Sequence, residues 1–303
     1  MALVIGIDGG GTRTRVAIAD AGRIVAHAEN GSIKRLRVGA EAAENHLRLA
    51  LNDVFAQAGR APIASACVGV ASASMPGVTE WITAVFNDFG VTRIEVVGDE
   101  VIALDAAFKG GAGILQIAGT GSNCVGRTAD GVRETAGGWS SRLGDEGSGY
   151  WIGLHAVRRA LAAYDREEPC GILDAVEKAW GAKGIEELVN IGDGTPQPDY
   201  AALCPQINEL AEAGDKVALD VLNQAAEDLA NFVLLVRAKL RRKHGLVDEI
   251  PVAWTGSVIA KMRIVREGFV ARLRAVAPGI PIGTDEVQAL EGAIWRAQRI
   301  VGS

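Results

Sequence analysis

The chain has few of the residues that build metal centres. Its 303 residues include four cysteines and four histidines, and no two cysteines form a CxxC pair. A zinc or iron–sulfur site would need its ligands closer together in the sequence. Free thiols are typical of a reducing compartment, so we expect a cytoplasmic protein.

A cationic excess and long apolar runs are also missing. The 31 Lys and Arg residues are outnumbered by 37 Asp and Glu, for a net charge of −6, so neither nucleic acid nor an anionic membrane is an expected partner. No apolar run approaches the roughly 18 residues of a membrane span, and the first run breaks at Asp8, too early for a signal peptide. The remaining composition, with 49% hydrophobic and 5% aromatic residues, is typical of a soluble α/β protein.

The length predicts two lobes with a cleft, and the pattern places their boundary at Gly110. Residues 1–110 form the predicted N-terminal lobe, which a C-terminal helix within 287–303 completes, and residues 111–286 form the second lobe. Apolar runs predict strands at residues 3–7, 14–19 and 22–27, then helices and strands in alternation. A late strand is predicted at residues 249–253.

The second lobe repeats the pattern of the first. A comparison at an offset of 110 residues pairs the following positions: Ile7 with Ile117, Gly9 with Gly119, Gly11 with Gly121, Thr12 with Ser122, and Asp20 with Asp130. These matches fall on loop and turn positions, where the backbone conformation is most restrictive. We interpret them as an internal duplication.

Each lobe has a glycine-rich loop after a buried strand, DGGGT at residues 8–12 and AGTGS at residues 118–122. Small residues let backbone amides approach an anion, and hydroxyls can bind phosphate oxygens. Neither loop is a GxxxxGKS/T P-loop or a GxGxxG dinucleotide motif. One such loop alone is equally consistent with a tight hairpin turn, but the pair predicts a bound nucleoside triphosphate. The predicted phosphate contacts are Gly10, Gly11, Thr12, Thr14, Gly119, Thr120, Gly121 and Ser122.

This pairing resembles the actin, hexokinase and Hsp70 type of ATPase. The resemblance implies a two-lobed α/β, ribonuclease H-like fold with duplicated mixed-sheet domains and a central nucleotide cleft. The segments GIDGGGTRT, IAGTGSN and GGWSSRLGDEGSGYWIG are similar to the N-acetylglucosamine kinase family and the related BadF/BadG/BcrA/BcrD ATPases. The late TGSV and EGA segments resemble bacterial glucosamine kinases, which implies adenosine-side contacts at Thr255, Gly256 and Ser257.

The resemblance implies an enzyme that uses ATP and Mg²⁺ to phosphorylate an amino sugar. N-acetylglucosamine, phosphorylated at its 6-hydroxyl, is the leading substrate, and glucosamine and N-acetylmuramic acid are alternatives. A rival of another class is a BadF/BcrA-type ATPase that activates a dehydratase through a cluster held between subunits, which the cysteine spacing does not support. The sequence does not decide between a monomer and a homodimer.

Asp99 follows the predicted strand Ile94–Val97 and precedes a predicted helix. Ligands gather at the carboxyl ends of strands in α/β sheets. The residue alone favours a helix N-cap. The resemblance instead places it at the family's catalytic aspartate, where it would accept the proton of the attacking sugar hydroxyl.

Other acidic and aromatic residues complete the predicted site. Asp8 is assigned to Mg²⁺, through a coordinated water, because Mg²⁺ commonly uses one or two carboxylates plus phosphate oxygens; a turn-forming role is the alternative. Asp145 lies just before a predicted helix, and the resemblance implies that Gly138, Trp139 and Asp145 contact the sugar.

The segment between Gly31 and Gly39 departs from the family pattern. Relatives usually place an Asn there that contacts the sugar, and this chain has Lys34, Arg35 and Arg37 instead. These cations favour a solvated basic edge. The alternative is that one of them meets an acidic substituent, such as the lactyl group of N-acetylmuramic acid.

Overall fold

The computed structural model describes residues 2–302, which form two compact units. Unit 1 comprises the described part of residues 1–113, 129–131 and 287–303, and unit 2 comprises residues 114–128 and 132–286. No helix within residues 2–302 is both long and apolar enough to cross a membrane.

The strands and helices alternate after an initial three-stranded meander in each unit. The strands are β1 (Leu3–Gly9), β2 (Arg13–Asp20), β3 (Arg23–Gly31), β4 (Ile63–Val70), β5 (Ile94–Val97), β6 (Gly113–Ala118), β7 (Ser122–Arg127), β8 (Arg133–Gly137), β9 (Val252–Thr255) and β10 (Ile282–Glu286). The helices are α1 (Arg35–Val38), α2 (Ala40–Gln57), α3 (Val78–Asp88), α4 (Asp99–Phe108), α5 (Gly149–Asp165), α6 (Ile172–Trp180), α7 (Ile185–Gly192), α8 (Cys204–Glu212), α9 (Lys216–His244), α10 (Ser257–Lys261), α11 (Arg263–Val276) and α12 (Ala289–Gly302). A short 3-10 helix, Tyr200–Leu203, precedes α8.

The sheet of unit 1 has the strand order β3-β2-β1-β4-β5. The first three strands are antiparallel, and β1, β4 and β5 run parallel. Successive side chains of a strand point to opposite faces, so Ile5 and Ile7 pack with α2 and α3, whereas Val4 packs with α4 and α12. Parallel strands bring their carboxyl ends to one edge of the sheet, where Asp8 and Asp99 both lie.

Helix α12 completes unit 1 by close contact with β1 and α4. A Cβ at Gly6 would lie 2.7 Å from Ile294 Cγ1, and one at Gly292 would lie 1.8 Å from the Ile102 carbonyl oxygen. Only glycine fits such approaches without a shift of the backbone. Arg296 of α12 also pairs with the buried Asp105 of α4, which holds the helix that begins at Asp99.

The sheet of unit 2 has the order β10-β9-β6-β7-β8. Read from the opposite edge, this is β8-β7-β6-β9-β10, which matches the order β3-β2-β1-β4-β5 of unit 1 strand for strand. Its parallel pairs are β6 with β9 and β9 with β10, and β7 and β8 are antiparallel, as in the first sheet. The duplication predicted from glycine and turn positions is therefore confirmed. The late strand predicted at residues 249–253 is instead Val252–Thr255, because Pro251 has no backbone N–H to donate to a neighbouring strand.

Candidate functional site

The first glycine loop, residues 10–12, joins β1 to β2 at the carboxyl end of β1. Gly11 and Thr12 are exposed, whereas Gly10 is partly buried. Ser32 Oγ donates a hydrogen bond of 3.0 Å to the Gly10 carbonyl, which fixes the loop against the segment after β3. The loop thus presents a backbone and a hydroxyl to solvent without a side chain that would block an anion.

Thr14, also predicted to bind phosphate, lies within β2 and differs from Thr12. Its side chain is fully buried, and its hydroxyl has no hydrogen-bond partner among the residues that the structure describes. Phosphate contact at Thr14 would need this hydroxyl to become accessible, so the assignment stays a prediction.

Asp99 is the first residue of α4 and not its N-cap. Gly98 occupies the N-cap position with an extended backbone, and Asp99 Oδ1 accepts a 3.0 Å hydrogen bond from the Glu100 N–H. The N-cap role that the residue alone favoured is therefore wrong, because the helix begins one residue earlier than the pattern indicated. Asp99 follows the carboxyl end of β5 and is only partly exposed.

The surroundings of Asp99 favour its protonated form. The pKa of Asp99 is raised to about 7, mainly by burial and in addition by the carboxylates of Glu100 and Asp8. A carboxyl group with this pKa exchanges its proton near neutral pH. A general base works best in that range, because it is then both available and basic enough.

Asp8 lies near the end of β1, opposite Arg15 of β2 in the register of the sheet. Burial raises the pKa of Asp8, while the positive charges of Arg15 and Arg13 lower it, and the Arg15 Nη1 to Asp8 Oδ2 distance is 3.9 Å. Asp8 is thus a partly desolvated carboxylate that repels a second carboxylate, Asp99. Hard oxygen donors in such a setting fit a divalent cation such as Mg²⁺, whose charge would offset the repulsion.

The second glycine loop, residues 119–121, joins β6 to β7 in unit 2 and is bound to the start of α5. The N–H groups of Gly149 and Tyr150 donate to the carbonyls of Gly119 and Thr120 at 2.8 and 3.2 Å. Thr120 is exposed, as Thr12 is in the first loop. Ser122 is buried, and its hydroxyl donates a 2.7 Å hydrogen bond to the Glu146 carbonyl, so its phosphate contact stays a prediction.

The predicted sugar-binding residues belong to the segment between β8 and α5. Asp145 is buried with a left-handed backbone, φ 58°, and a Cβ at Gly121 would lie 2.8 Å from its Oδ2. Gly138 also has a positive φ, 74°, and lies beside Asn123. Trp139 is 74% exposed. The structure therefore brings Asp145 to the second glycine loop and leaves Trp139 open to solvent.

A cavity of about 450 Å³ lies within unit 2, next to the second glycine loop. Its lining includes Gly119, Thr120 and Ser257 from the predicted set, with Asn208 of α8 and Lys261 of α10. Gly256 has a φ of 103°, and a Cβ there would lie 2.4 Å from the Ala118 carbonyl oxygen. The segment predicted for the adenosine side, which begins at Thr255 at the end of β9, thus touches the loop predicted for phosphate.

Asn208 and Lys261 were not predicted from the sequence. Asn208 Oδ1 is buried and has no hydrogen-bond partner within residues 2–302, although the residue lines the cavity. Neither residue belongs to a motif, and both are far along the chain from the glycine loop. Helical periodicity predicts that α8 exists, but not which of its side chains face this cavity.

The sequence model of the BadF/BadG/BcrA/BcrD ATPase family matches residues 5–293. The chain belongs to this family. It is 28% identical over 301 residues to the N-acetylmuramic acid/N-acetylglucosamine kinase of Clostridium acetobutylicum, with 97% of each chain covered. It is 30% identical over 238 residues to glucosamine kinase GspK of Vibrio cholerae, with 78% of this chain and 80% of that protein covered.

Solved structures give the same fold for this BadF/BadG/BcrA/BcrD family chain. A candidate N-acetylglucosamine kinase from Chromobacterium violaceum is similar with a TM-score of 0.73 and 26% identity over 99% of both chains. A ROK family glucokinase from Streptomyces griseus, solved with glucose and AMPPNP, has a TM-score of 0.61 at 16% identity. The match covers 98% of this chain and 99% of the glucokinase, and at this identity it shows the fold alone. The predicted α/β ATPase fold with duplicated mixed sheets is confirmed.

Proposed function

We propose that this protein is an ATP-dependent amino-sugar kinase that transfers the γ-phosphoryl group to the 6-hydroxyl of N-acetylglucosamine. The observation that carries the proposal is Asp99, a carboxyl group with a pKa of about 7 at the same sheet edge as the first glycine loop. The names of the relatives support an amino-sugar substrate. Glucosamine and N-acetylmuramic acid are the alternatives within the family.

In the proposed reaction, Asp99 accepts the proton of the sugar hydroxyl as the hydroxyl oxygen attacks the γ-phosphorus. The new bond joins that oxygen to phosphorus, and the bond from phosphorus to the β,γ-bridging oxygen breaks, which releases ADP. Proton removal by a positioned base contributes about 10²- to 10⁴-fold, and the rest comes from positioning and charge neutralisation.

In each unit taken by itself, small residues and hydroxyls of the glycine loop are the proposed contacts for a phosphate group. In unit 1 the backbone of the partly buried Gly10 and the exposed Gly11, together with the Thr12 hydroxyl, are the proposed phosphate contacts. In unit 2 the exposed Thr120 plays the same part beside Gly119 and Gly121. The cavity next to this second loop suits the adenosine portion, because its lining combines apolar surface with the amide of Asn208 and the hydroxyl of Ser257.

Mg²⁺, when bound, neutralises charge on the phosphate oxygens. Asp8 is the residue proposed to hold it, through a coordinated water. The Arg15 guanidinium, 3.9 Å from Asp8, balances the charge of this partly buried carboxylate only in part. A bound Mg²⁺ would supply the remaining positive charge.

The sugar contacts are proposed at Asp145, Gly138 and Trp139. The Asp145 carboxylate can accept hydrogen bonds from two sugar hydroxyls, and its position against Gly121 ties the sugar segment to the second glycine loop. The exposed indole of Trp139 offers an apolar face to a sugar ring. A cytoplasmic location stays a prediction, and a monomer and a homodimer both stay open.

The activator alternative has less support from the side chains. Cys67 and Cys124 are fully buried, and burial raises the pKa of the Cys67 thiol to about 12, which disfavours the thiolate that a cluster needs.

The substrate is tested by ADP release from ATP in the presence of N-acetylglucosamine, glucosamine, N-acetylmuramic acid and glucose. We expect the highest kcat/KM for N-acetylglucosamine and little turnover of glucose, which lacks the nitrogen substituent. A preference for glucose over all three amino sugars would reject the proposed substrate class. A brown purified protein that contains iron and releases ADP without any sugar would favour the activator.

A further inference from the structure

The basic segment after β3 is packed against the first glycine loop. Ile33 is fully buried, and a Cβ at Gly9 would lie 2.8 Å from Ile33 Cδ1. The buried Ser32 hydroxyl donates to the Gly10 carbonyl at 3.0 Å and accepts a 3.1 Å hydrogen bond from the Lys34 N–H. The path of the segment is therefore determined by the end of β1, the strand that leads into the loop.

The following turn, α1, is held at both ends by backbone hydrogen bonds. The Arg37 N–H donates to the Lys34 carbonyl at 2.8 Å, and the Gly39 N–H donates to the Arg35 carbonyl at 2.9 Å. The Arg37 side chain thus starts from a defined backbone position. Its Nη1 lies 3.8 Å from the position that a Cβ at Gly11 would take, so the guanidinium is next to the backbone of the glycine loop.

Two neighbouring arginines, Arg35 and Arg13, are engaged elsewhere. The Arg35 guanidinium lies 5.3 Å from the centre of the Trp81 ring, a cation–π distance. Arg13 pairs with Glu29 at 3.0 Å. The Arg37 side chain is exposed, and within the described part of the chain its guanidinium forms no ion pair or hydrogen bond.

An unpaired guanidinium next to an anion-binding loop is a favourable setting for a phosphate group. Arginine presents its donors in a planar fork that matches phosphate oxygens, and it stays charged at all working pH values. The GGGT loop contains no cation of its own, unlike a P-loop, whose lysine reaches the β- and γ-phosphates. Phosphoryl transfer depends on positive charge at the transferring group.

We propose that Arg37 binds the terminal phosphate of the nucleotide and supplies the cation that the first glycine loop lacks. This inference rests on the proposed kinase function. As the bond from the γ-phosphorus to the bridging oxygen breaks and the sugar oxygen bonds to phosphorus, Arg37 neutralises the phosphoryl oxygens, while the proton passes to Asp99. This role differs from the alternative given in the sequence analysis, in which Arg37 would contact an acidic substituent of the sugar.

The test compares Arg37→Ala and Arg37→Lys with Arg23→Ala, which removes an exposed arginine at the opposite end of the β2–β3 hairpin. With a neutral amino sugar as acceptor, we expect Arg37→Ala to lower kcat/KM for ATP by about 100-fold. Arg37→Lys should recover part of the loss, because lysine keeps the charge but not the fork. Arg23→Ala should stay within about two-fold of the wild type.

Two outcomes would overturn the inference. One is a change of less than about three-fold for Arg37→Ala with the neutral sugar. The other is a loss confined to N-acetylmuramic acid, which would assign Arg37 to the acidic substituent. Melting temperatures measured for all variants exclude unfolding as the cause, and Arg37→Gln replaces Arg37→Ala if the latter does not fold.

Binding measurements separate this inference from the proposed function. The dissociation constants of ATP and AMP are measured by calorimetry for the wild type and for Arg37→Ala. We expect the variant to weaken ATP binding at least ten-fold and AMP binding less than two-fold, because AMP has no terminal phosphate at this position. Equal effects on both nucleotides would contradict the inference. Wild-type protein that binds ATP but phosphorylates no sugar would reject the kinase function, and the ratio of the ATP and AMP effects of Arg37→Ala would still support or overturn the contact with the terminal phosphate.

Discussion

In addition to burial, which is the main cause, the negative charge of Asp8 raises the pKa of Asp99 across the carboxyl edge of the unit 1 sheet. The two residues are 91 positions apart in the sequence, and the parallel strands β1, β4 and β5 bring them to the same edge. One carboxylate thereby makes the other a stronger base. The pair also explains why a bound cation would matter, because ionising both groups without one is costly.

Replacing Asp99 with Asn should abolish phosphoryl transfer and leave ATP binding nearly intact. Asn keeps the shape of the side chain but cannot accept the proton of the sugar hydroxyl. We expect kcat to fall by about 10²- to 10⁴-fold while the dissociation constant of ATP changes less than about three-fold. Turnover within a few-fold of the wild type would show that Asp99 is not the base.

The rate should depend on pH through the ionisation of Asp99. Because the base must be deprotonated, kcat/KM for the sugar should rise with pH and level off above the pKa of about 7. A rate that stays constant between pH 5.5 and 8.5, measured under conditions where the protein remains folded, would be inconsistent with this role.

Stability should also record the raised pKa of Asp99. The pKa is higher in the folded than in the unfolded protein, so the folded protein holds more protons between pH 4 and 7, and stability falls as the pH rises through that window. Asp99→Asn should remove this fall. We expect the variant to be more stable than the wild type at pH 8 by on the order of 2 kcal/mol. A raised pKa costs about 1.4 kcal/mol of stability per pKa unit, and solvent at the partly exposed carboxyl reduces this cost.

Denaturant unfolding at pH 5 and pH 8 measures this difference. At pH 5 the folded wild type still holds its proton and only the first part of the fall has occurred, so the advantage of the variant in urea should be clearly smaller at pH 5 than at pH 8. A variant that is destabilised equally at both pH values would contradict the raised pKa.

Asp8→Ala should raise the concentration of Mg²⁺ needed for half-maximal activity. The change removes the carboxylate proposed to hold the hydrated ion, and we expect an increase of about ten-fold or more. Asp53→Asn on the exposed surface of α2 is the matched control for the loss of one negative charge. An unchanged metal dependence in Asp8→Ala would refute the assignment.

Gly256→Ala should disturb the second glycine loop. The residue has a φ of 103°, and the added Cβ would lie 2.4 Å from the Ala118 carbonyl oxygen, so either the loop or the start of α10 must move. We expect a loss of stability of about 1 to 3 kcal/mol and a higher KM for ATP. Gly279→Ala is the control, because a Cβ there meets nothing within 4 Å and its φ is not in the left-handed range. Equal KM values for ATP in both variants would separate Gly256 from the nucleotide site.

The sequence predicted the features that depend on local chemistry. The strands follow from apolar runs, and the two glycine loops follow from the glycines after those runs. The duplication follows from the loop and turn positions that match between the two lobes. The start of α4 was misjudged by one residue because Asp is favoured both at the N-cap and in the first turn of a helix. Residue type alone does not separate these positions.

Other features of the site depend on contacts between distant segments. The hydroxyl of Ser122 donates to the Glu146 carbonyl, 24 residues away, a contact that no local pattern predicts; its contact with phosphate stays a prediction. Arg37 lies next to Gly11, and Asn208 lines the cavity, for the same reason. Both positions result from tertiary packing, which no local pattern encodes.

The most direct test of the kinase proposal is to identify the product formed from ATP and N-acetylglucosamine by phosphorus NMR and mass spectrometry. The account predicts one N-acetylglucosamine 6-phosphate for each ADP, and neither product above background with Asp99→Asn. ADP formed without any phosphorylated sugar, or no ADP with any of the amino sugars, would contradict it.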